Sequence, residues 1–138
     1  MGDIHQPLHT ESLDRGGNSI QVRFGRAHTN LHHVWDTNIP EKIVGGYKLE
    51  DAHQWAATLT KSIKSGVYRP LARGWLAGIE LEDPVTTSLG WATESNAFVC
   101  TAVLPGGIEG VEDQDLSGEY YDAAVPVVQL QIAKGGYR

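Results

Sequence analysis

Histidine and aspartate crowd the start of this sequence. His5, His9, His28, His32 and His33 lie between positions 5 and 33, with Asp3 and Asp36 at the edges of that stretch. Folding alone does not require that density, and a metal ion accounts for it most economically, against a competing reading of surface or capped histidines. Residues four apart share one face of a helix, so His32 and Asp36 offer an imidazole and a carboxylate to the same ion, and His33 points elsewhere. His28 is also four before His32, but it precedes Asn30, a good helix N-cap, and is read as a loop residue. The third ligand must come from another segment. His9 suits it best, because it ends the stretch Asp3-Ile4-His5-Gln6-Pro7-Leu8-His9, in which Pro7 stops a preceding helix and turns the chain. Two histidines and one aspartate with an open position form a catalytic zinc arrangement rather than a closed structural one.

The elements that must hold these residues read as mainly α with one short extended segment. Ile20, Val22 and Phe24 alternate with polar residues between Gly16-Gly17 and Gly25, the pattern of a short strand or small β-hairpin. From Asn30, the residues Leu31, Val34, Trp35 and Ile39 follow at helical spacing until Pro40 and Gly45-Gly46 kink or end the helix. A second helix is expected over about 51–65, with Trp55, Leu59 and Ile63 on one stripe and Gly66 as its stop. Asp83-Pro84 opens a third, running towards Leu104 before Pro105-Gly106-Gly107. Ser117 is the expected cap of a last helix with the stripe Tyr121, Val125, Val128 and Ile132, kinked at Pro126. Trp35, Trp55, Trp75 and Trp91 are read as core rather than base-stacking residues, and the acidic run from Glu109 to Asp115 as a solvated loop.

Composition narrows the function classes. With 138 residues, 41% hydrophobic and 20% charged, the chain fits one globular domain and excludes disordered, collagen-like and coiled-coil classes. The net charge of -6 has the wrong sign for general capture of a polyanion, so a nucleic-acid ligand needs a local cation. The longest charge-free run, Ser95 to Ile108, is shorter than the roughly 18 apolar residues of a membrane span. Met1-Gly2-Asp3-Ile4-His5 has neither the basic nor the apolar region of a signal peptide, and Gln6 stands where a myristoylation signal needs Ser or Thr. Cys100, the one cysteine, is read as a buried free thiol.

Several motifs together resemble a known family. Gly2-Asp3-Ile4-His5-Gln6-Pro7-Leu8-His9, then Asp14-Arg15-Gly16-Gly17-Asn18, then Asn30-Leu31-His32-His33-Val34-Trp35-Asp36-Thr37 resemble, in order and spacing, the zinc-dependent single-strand-specific nucleases, the family of mung bean nuclease. The likeness extends through Trp91-Ala92-Thr93-Glu94-Ser95-Asn96 to Gln131-Ile132-Ala133-Lys134-Gly135-Gly136-Tyr137-Arg138, essentially the whole chain. It implies a helical zinc-phosphoesterase fold in which residues 1–138 are the C-terminal portion of a single nuclease domain. By this likeness the N-terminal half of the domain is expected to lie outside this chain. It further implies a secreted enzyme with three zinc ions that cleaves single-stranded DNA and RNA and removes 3'-phosphates from nucleotides.

By the same resemblance His9, His32 and Asp36 are the complete ligand set of one zinc, and Asp3 is the catalytic carboxylate bridging the other two. Arg15 and Asn18 fall at the substrate-binding turn, where Arg15 replaces an aliphatic residue that sandwiches a base in some members. Cys100 resembles a cysteine disulfide-bonded to the N-terminal half. Further histidines, one of them two residues before Met1, belong to the absent segment. The expectation is therefore one complete zinc site and little or no nuclease activity for this chain alone. The alternatives are a non-catalytic metal-binding remnant and a phospholipase C-like zinc phosphoesterase.

Overall fold

The computed structural model describes residues 1–138 and is mostly helical, with one two-stranded antiparallel hairpin, as expected from the sequence. Two 3-10 turns, Asp3–His5 and Pro7–Thr10, open the chain. Gln6 between them is extended, and its side-chain oxygen accepts from the Leu8 N–H at 2.5 Å, so the residue that separates the turns also caps the second. Only a single turn precedes Pro7, where a helix was anticipated. The strands β1 (Gln21–Phe24) and β2 (Ala27–Asn30) pair from Gln21↔Asn30 to Phe24↔Ala27, around a two-residue turn that starts at Gly25. Ile20 lies just before β1. His28 sits on β2 opposite Arg23, so it is an exposed strand residue rather than a loop residue.

The Asn30 side chain accepts from the His33 N–H at 2.8 Å and starts a continuous helical run over 31–44. That run changes pitch in the middle: α1 (Leu31–His33) passes into a π turn, Val34–Asn38, and then α2 (Ile39–Val44). Pro40 supplies the reason. It has no N–H to give to the Asp36 carbonyl four residues back, and the Ile39 N–H reaches to Val34 O instead. Gly45, at φ 76°, ends the run in the left-handed conformation.

Helix α3 (Leu49–Ser65) begins two residues earlier than the spacing predicts, with the Lys48 N–H bonded to the Asp51 carboxylate at 3.0 Å, and it stops at Gly66. A short helix α4 (Arg69–Ala72) runs on into a 3-10 turn, Arg73–Leu76. Helix α5 (Pro84–Phe98) starts at the Asp83 cap, whose carboxylate accepts from both Thr86 N and Thr86 Oγ1, and continues as a π turn, Val99–Val103. A 3-10 turn, Ile108–Gly110, precedes α6 (Glu119–Tyr137), which runs through Pro126. Its start corrects one expectation: Gly118 occupies the cap position, while the Ser117 N–H is bonded to the Asp115 carboxylate.

Leu8, Ile20 and Val22 meet Leu31, Val34 and Trp35 in the main core, against the π turn after α5 and Val128 of α6. Each such side chain contributes about 1.5–3 kcal/mol on burial. A second cluster joins Leu59, Ala72, Trp75 and Ala133. Trp35 and Trp75 are buried and Trp55 and Trp91 half-buried, in keeping with core roles. The α6 stripe is different from that expected. Ile132 is exposed, whereas Ala124, Val128, Gln131, Ala133 and Lys134 are buried. In the acidic loop the charged residues are exposed around a buried Val111. Cys100 is exposed on the π turn, not buried, because the core-facing positions there are Val99 and Val103. No helix is long and apolar enough to cross a membrane.

Candidate metal centre

The second 3-10 turn and the first helical turns after Asn30 bring three side chains together. His9 Nε2 stands 3.2 Å from His32 Nε2 and 3.4 Å from Asp36 Oδ1, and His32 Nε2 stands 3.2 Å from Asp36 Oδ2. A tetrahedral ion with bonds of about 2.0 Å holds its ligand atoms about 3.3 Å apart, so these separations suit one ion. No other group of histidines, cysteines and carboxylates of that kind occurs in the chain.

The hydrogen bonds behind the ligands decide what the ligand atoms offer. His32 Nδ1 donates to the Gly16 carbonyl at 2.6 Å, which leaves the Nε2 lone pair of the neutral ring facing the cluster. His9 Nδ1 faces two acceptors, the Asp3 carbonyl at 3.1 Å and the Asp3 carboxylate at 3.0 Å, with the same consequence. In that neutral form two imidazole lone pairs and a carboxylate converge, and the donor set fits a cation. Backing of each histidine by a carboxylate or carbonyl is the arrangement that fixes metal-binding imidazoles.

Asp3 lies behind His9 rather than in the three-residue cluster, and its side chain is 89% exposed. Arg15 and Asn18 are exposed on the Gly16-Gly17 turn, where the Asn18 amide donates to the Arg15 carbonyl at 2.9 Å and Arg15 has φ 61°. His33 is exposed and outside the cluster. Two contributors were missed from sequence. Gln6 Nε2 donates to Asp36 Oδ1 at 2.9 Å, orienting the carboxylate, and Gly16 supplies the carbonyl that orients His32. The Gly-Gly turn was a visible signal for the second, since a Cβ on Gly16 would meet Leu8 O at 2.9 Å. Nothing local marks Gln6.

A groove of about 510 Å³ opens beside the cluster, bordered by Asp3, His9, Asp36, Trp35 and the last turns of α6. Glu94 of α5 forms ion pairs with both Lys134 and Arg138 at the end of α6. Burial pushes the Glu94 carboxyl up, but hydrogen bonds and charge from Lys134 and Arg138 outweigh that and leave it below its ordinary value. His5, buried beside them, is held below the usual histidine value by burial first, with Arg138 and Lys134 adding to it.

Helix packing and donor set together define a mainly α protein with two histidines and an aspartate, a group that could hold a metal ion, at the edge of a groove. The family model for the S1/P1 Nuclease matches residues 1–138, and the chain belongs to that family. It is 51% identical over 138 residues to Nuclease S1 of Aspergillus oryzae, covering 100% of this chain and 48% of that protein. Against Nuclease P1 of Penicillium citrinum the figures are 48% identity over 138 residues, with 100% and 51% covered. Endonuclease 1 of Arabidopsis thaliana is 33% identical over 140 residues, with 100% and 44% covered. The chain spans about half the length of the curated relatives it matches.

Proposed function

We propose that this chain is the C-terminal portion of a zinc-dependent nuclease domain that cleaves single-stranded DNA and RNA and removes 3'-phosphates from nucleotides. The observation that carries the reading is the convergence of three ligand atoms, from His9, His32 and Asp36, in a chain whose relatives are named nucleases. His9, His32 and Asp36 hold the ion. Bound there, zinc supplies a Lewis acid for phosphate oxygens and for the departing 3'-oxygen, and lets a protein of net charge -6 accept a polyanion. Gln6 and Gly16 orient the ligands. Asp3 is the catalytic carboxylate and a ligand for further metal, which suits its exposure at the groove's rim. Arg15 and Asn18, exposed on the neighbouring turn, are the substrate-binding residues.

The remainder of the domain supplies the other ligands, and the relatives' greater length supports that division. Secretion follows from the resemblance, and exposed Cys100 is free to pair with a cysteine outside this chain. One observation favours a second reading, a non-catalytic metal-binding module: the chain carries a single three-residue ligand group. Zinc analysis alongside digestion of single-stranded DNA at mildly acid pH separates them. The chain alone should bind about one zinc with little turnover, while the full-length protein containing it should degrade the DNA and lose that activity on Asp36→Ala. A full-length, zinc-loaded protein that leaves single-stranded DNA intact overturns the nuclease reading.

A further inference from the structure

The last two turns of α6 bury a polar stripe where apolar residues would pack at less cost. Gln131, Lys134, Gly135 and Arg138 recur at i, i+3, i+4 and i+7, the spacing of one helix face, and that face surrounds His5. Gln131 Nε2 donates to the His5 carbonyl at 2.9 Å and to Ser95 Oγ of α5 at 2.8 Å. The His5 ring donates from Nδ1 to the Met1 carbonyl at 2.8 Å and accepts at Nε2 from Arg138 Nη1 at 2.9 Å. Lys134 and Arg138 both bond Glu94. Gly135 lies against the ring, where a Cβ would stand 3.4 Å from His5 Cγ, in ordinary contact.

Desolvating this many polar groups is unfavourable unless every partner is placed well, so such a network specifies one position of what it holds. What it holds is the segment between two ligand-bearing turns. The 3-10 turns Asp3–His5 and Pro7–Thr10 are each a single short turn, and the end of α6 grips them at His5, through Gln131 at its carbonyl and Arg138 at its ring. Gln131 also borders the groove next to Asp3, His9 and Asp36, and its buried Oε1 makes no hydrogen bond.

We propose that Gln131 is a positioning residue for the metal centre, acting through the His5 carbonyl on the turns that carry Asp3 and His9. The inference rests on the reading of His9, His32 and Asp36 as metal ligands. Without the Gln131 donor the turns lose their register against α6, and His9 Nε2 no longer meets His32 and Asp36 at the separation one ion needs.

Co2+ titration followed in the visible region tests this, since the bands report ligand geometry as well as binding. Gln131→Met keeps the side-chain length and removes the donor; it should weaken Co2+ binding about tenfold and shift the bands. Ser95→Ala removes one acceptor of the same amide, leaves no charge buried, and should weaken binding a few-fold with a smaller band shift. Leu59→Ala, in the second core cluster, should lower the melting temperature while leaving affinity and bands as they are. Parent-like affinity and spectrum in Gln131→Met overturn the proposal, and so does an equal loss in Leu59→Ala. If Gln131→Met does not fold, an unchanged Ser95→Ala titration overturns it. An unsubstituted chain that takes up no Co2+ removes the metal reading itself, and the positioning role with it.

Discussion

The Nε2 atoms of His9 and His32 face each other across 3.2 Å, with their rings stacked at 4.9 Å between centroids and 23° between planes. Each Nδ1 is already committed to a fixed acceptor, so neither ring in its neutral form has a proton to give the other. Beside them is a carboxylate. A cation relieves that arrangement, and it binds the folded chain only. Zinc at 100 times its dissociation constant should therefore raise stability by about 2.7 kcal/mol. Scanning calorimetry with zinc and with a chelator checks it. The gain should vanish in His32→Ala, and a melting temperature indifferent to zinc would rule the centre out.

Gly16 tests the carbonyl behind His32. It and Gly45 both have positive φ, at 65° and 76°, so alanine strains either by about 1–2 kcal/mol. Only Gly16 is also crowded: an added Cβ would meet Leu8 O at 2.9 Å and His32 Nδ1 at 3.5 Å, whereas Gly45 has nothing within 4 Å. Gly16→Ala should consequently lose more stability than Gly45→Ala and also bind zinc more weakly. Denaturant melts with a zinc titration compare the two. Equal zinc affinity would show that the Gly16 carbonyl does not orient the ligand.

How far the sequence carries depends on how local the cause is. The spacing of His32 and Asp36 places both on one face, and Asn30 and Asp83 cap helices, because these effects act within one turn. The π turn at Val34–Asn38 was readable in principle from Pro40 and the carbonyl it leaves unpaired. The α6 stripe was not. Gln131 and Lys134 are buried because Ser95, Glu94 and His5 arrive from distant parts of the chain, which no hydrophobic periodicity records. Ser117 failed as a cap for a similar reason: its N–H and that of Gly25 are drawn to Asp115, which ties the hairpin to the start of α6.

Trp35 and Tyr120 form a polar relay through the core. The indole N–H donates to the Tyr120 hydroxyl at 2.7 Å, and that hydroxyl donates to the Val103 carbonyl at 2.8 Å. Burial pushes the hydroxyl's ionisation up, so it stays a donor. Tyr120→Phe leaves a buried N–H and a carbonyl each without its partner and should destabilise the fold by about 2 kcal/mol. Tyr47→Phe, at an exposed position, should change it little. Urea unfolding of both variants reads the difference, and matching midpoints would mean the relay contributes nothing net.

Asp115 sets an acid limit on the hairpin's attachment. Its carboxylate accepts from the Ser117 N–H at 3.0 Å and the Gly25 N–H at 2.9 Å, and these bonds, Ser117 first, hold it down at about 2. An unfolded aspartate titrates near about 3.9, so between those values the unfolded chain binds more protons than the folded one. The stabilisation is then complete above about pH 4 and is lost as the pH falls towards 2. Glu94 is also held low and weakens in acid, but it is common to the parent and to an Asp115→Ala variant and cancels in their difference. Thermal unfolding from pH 7 to pH 2 should show Asp115→Ala melting below the parent at neutral pH and the two curves converging in acid. A gap that stays constant across that range would mean the Asp115 charge has no part in holding the hairpin to α6.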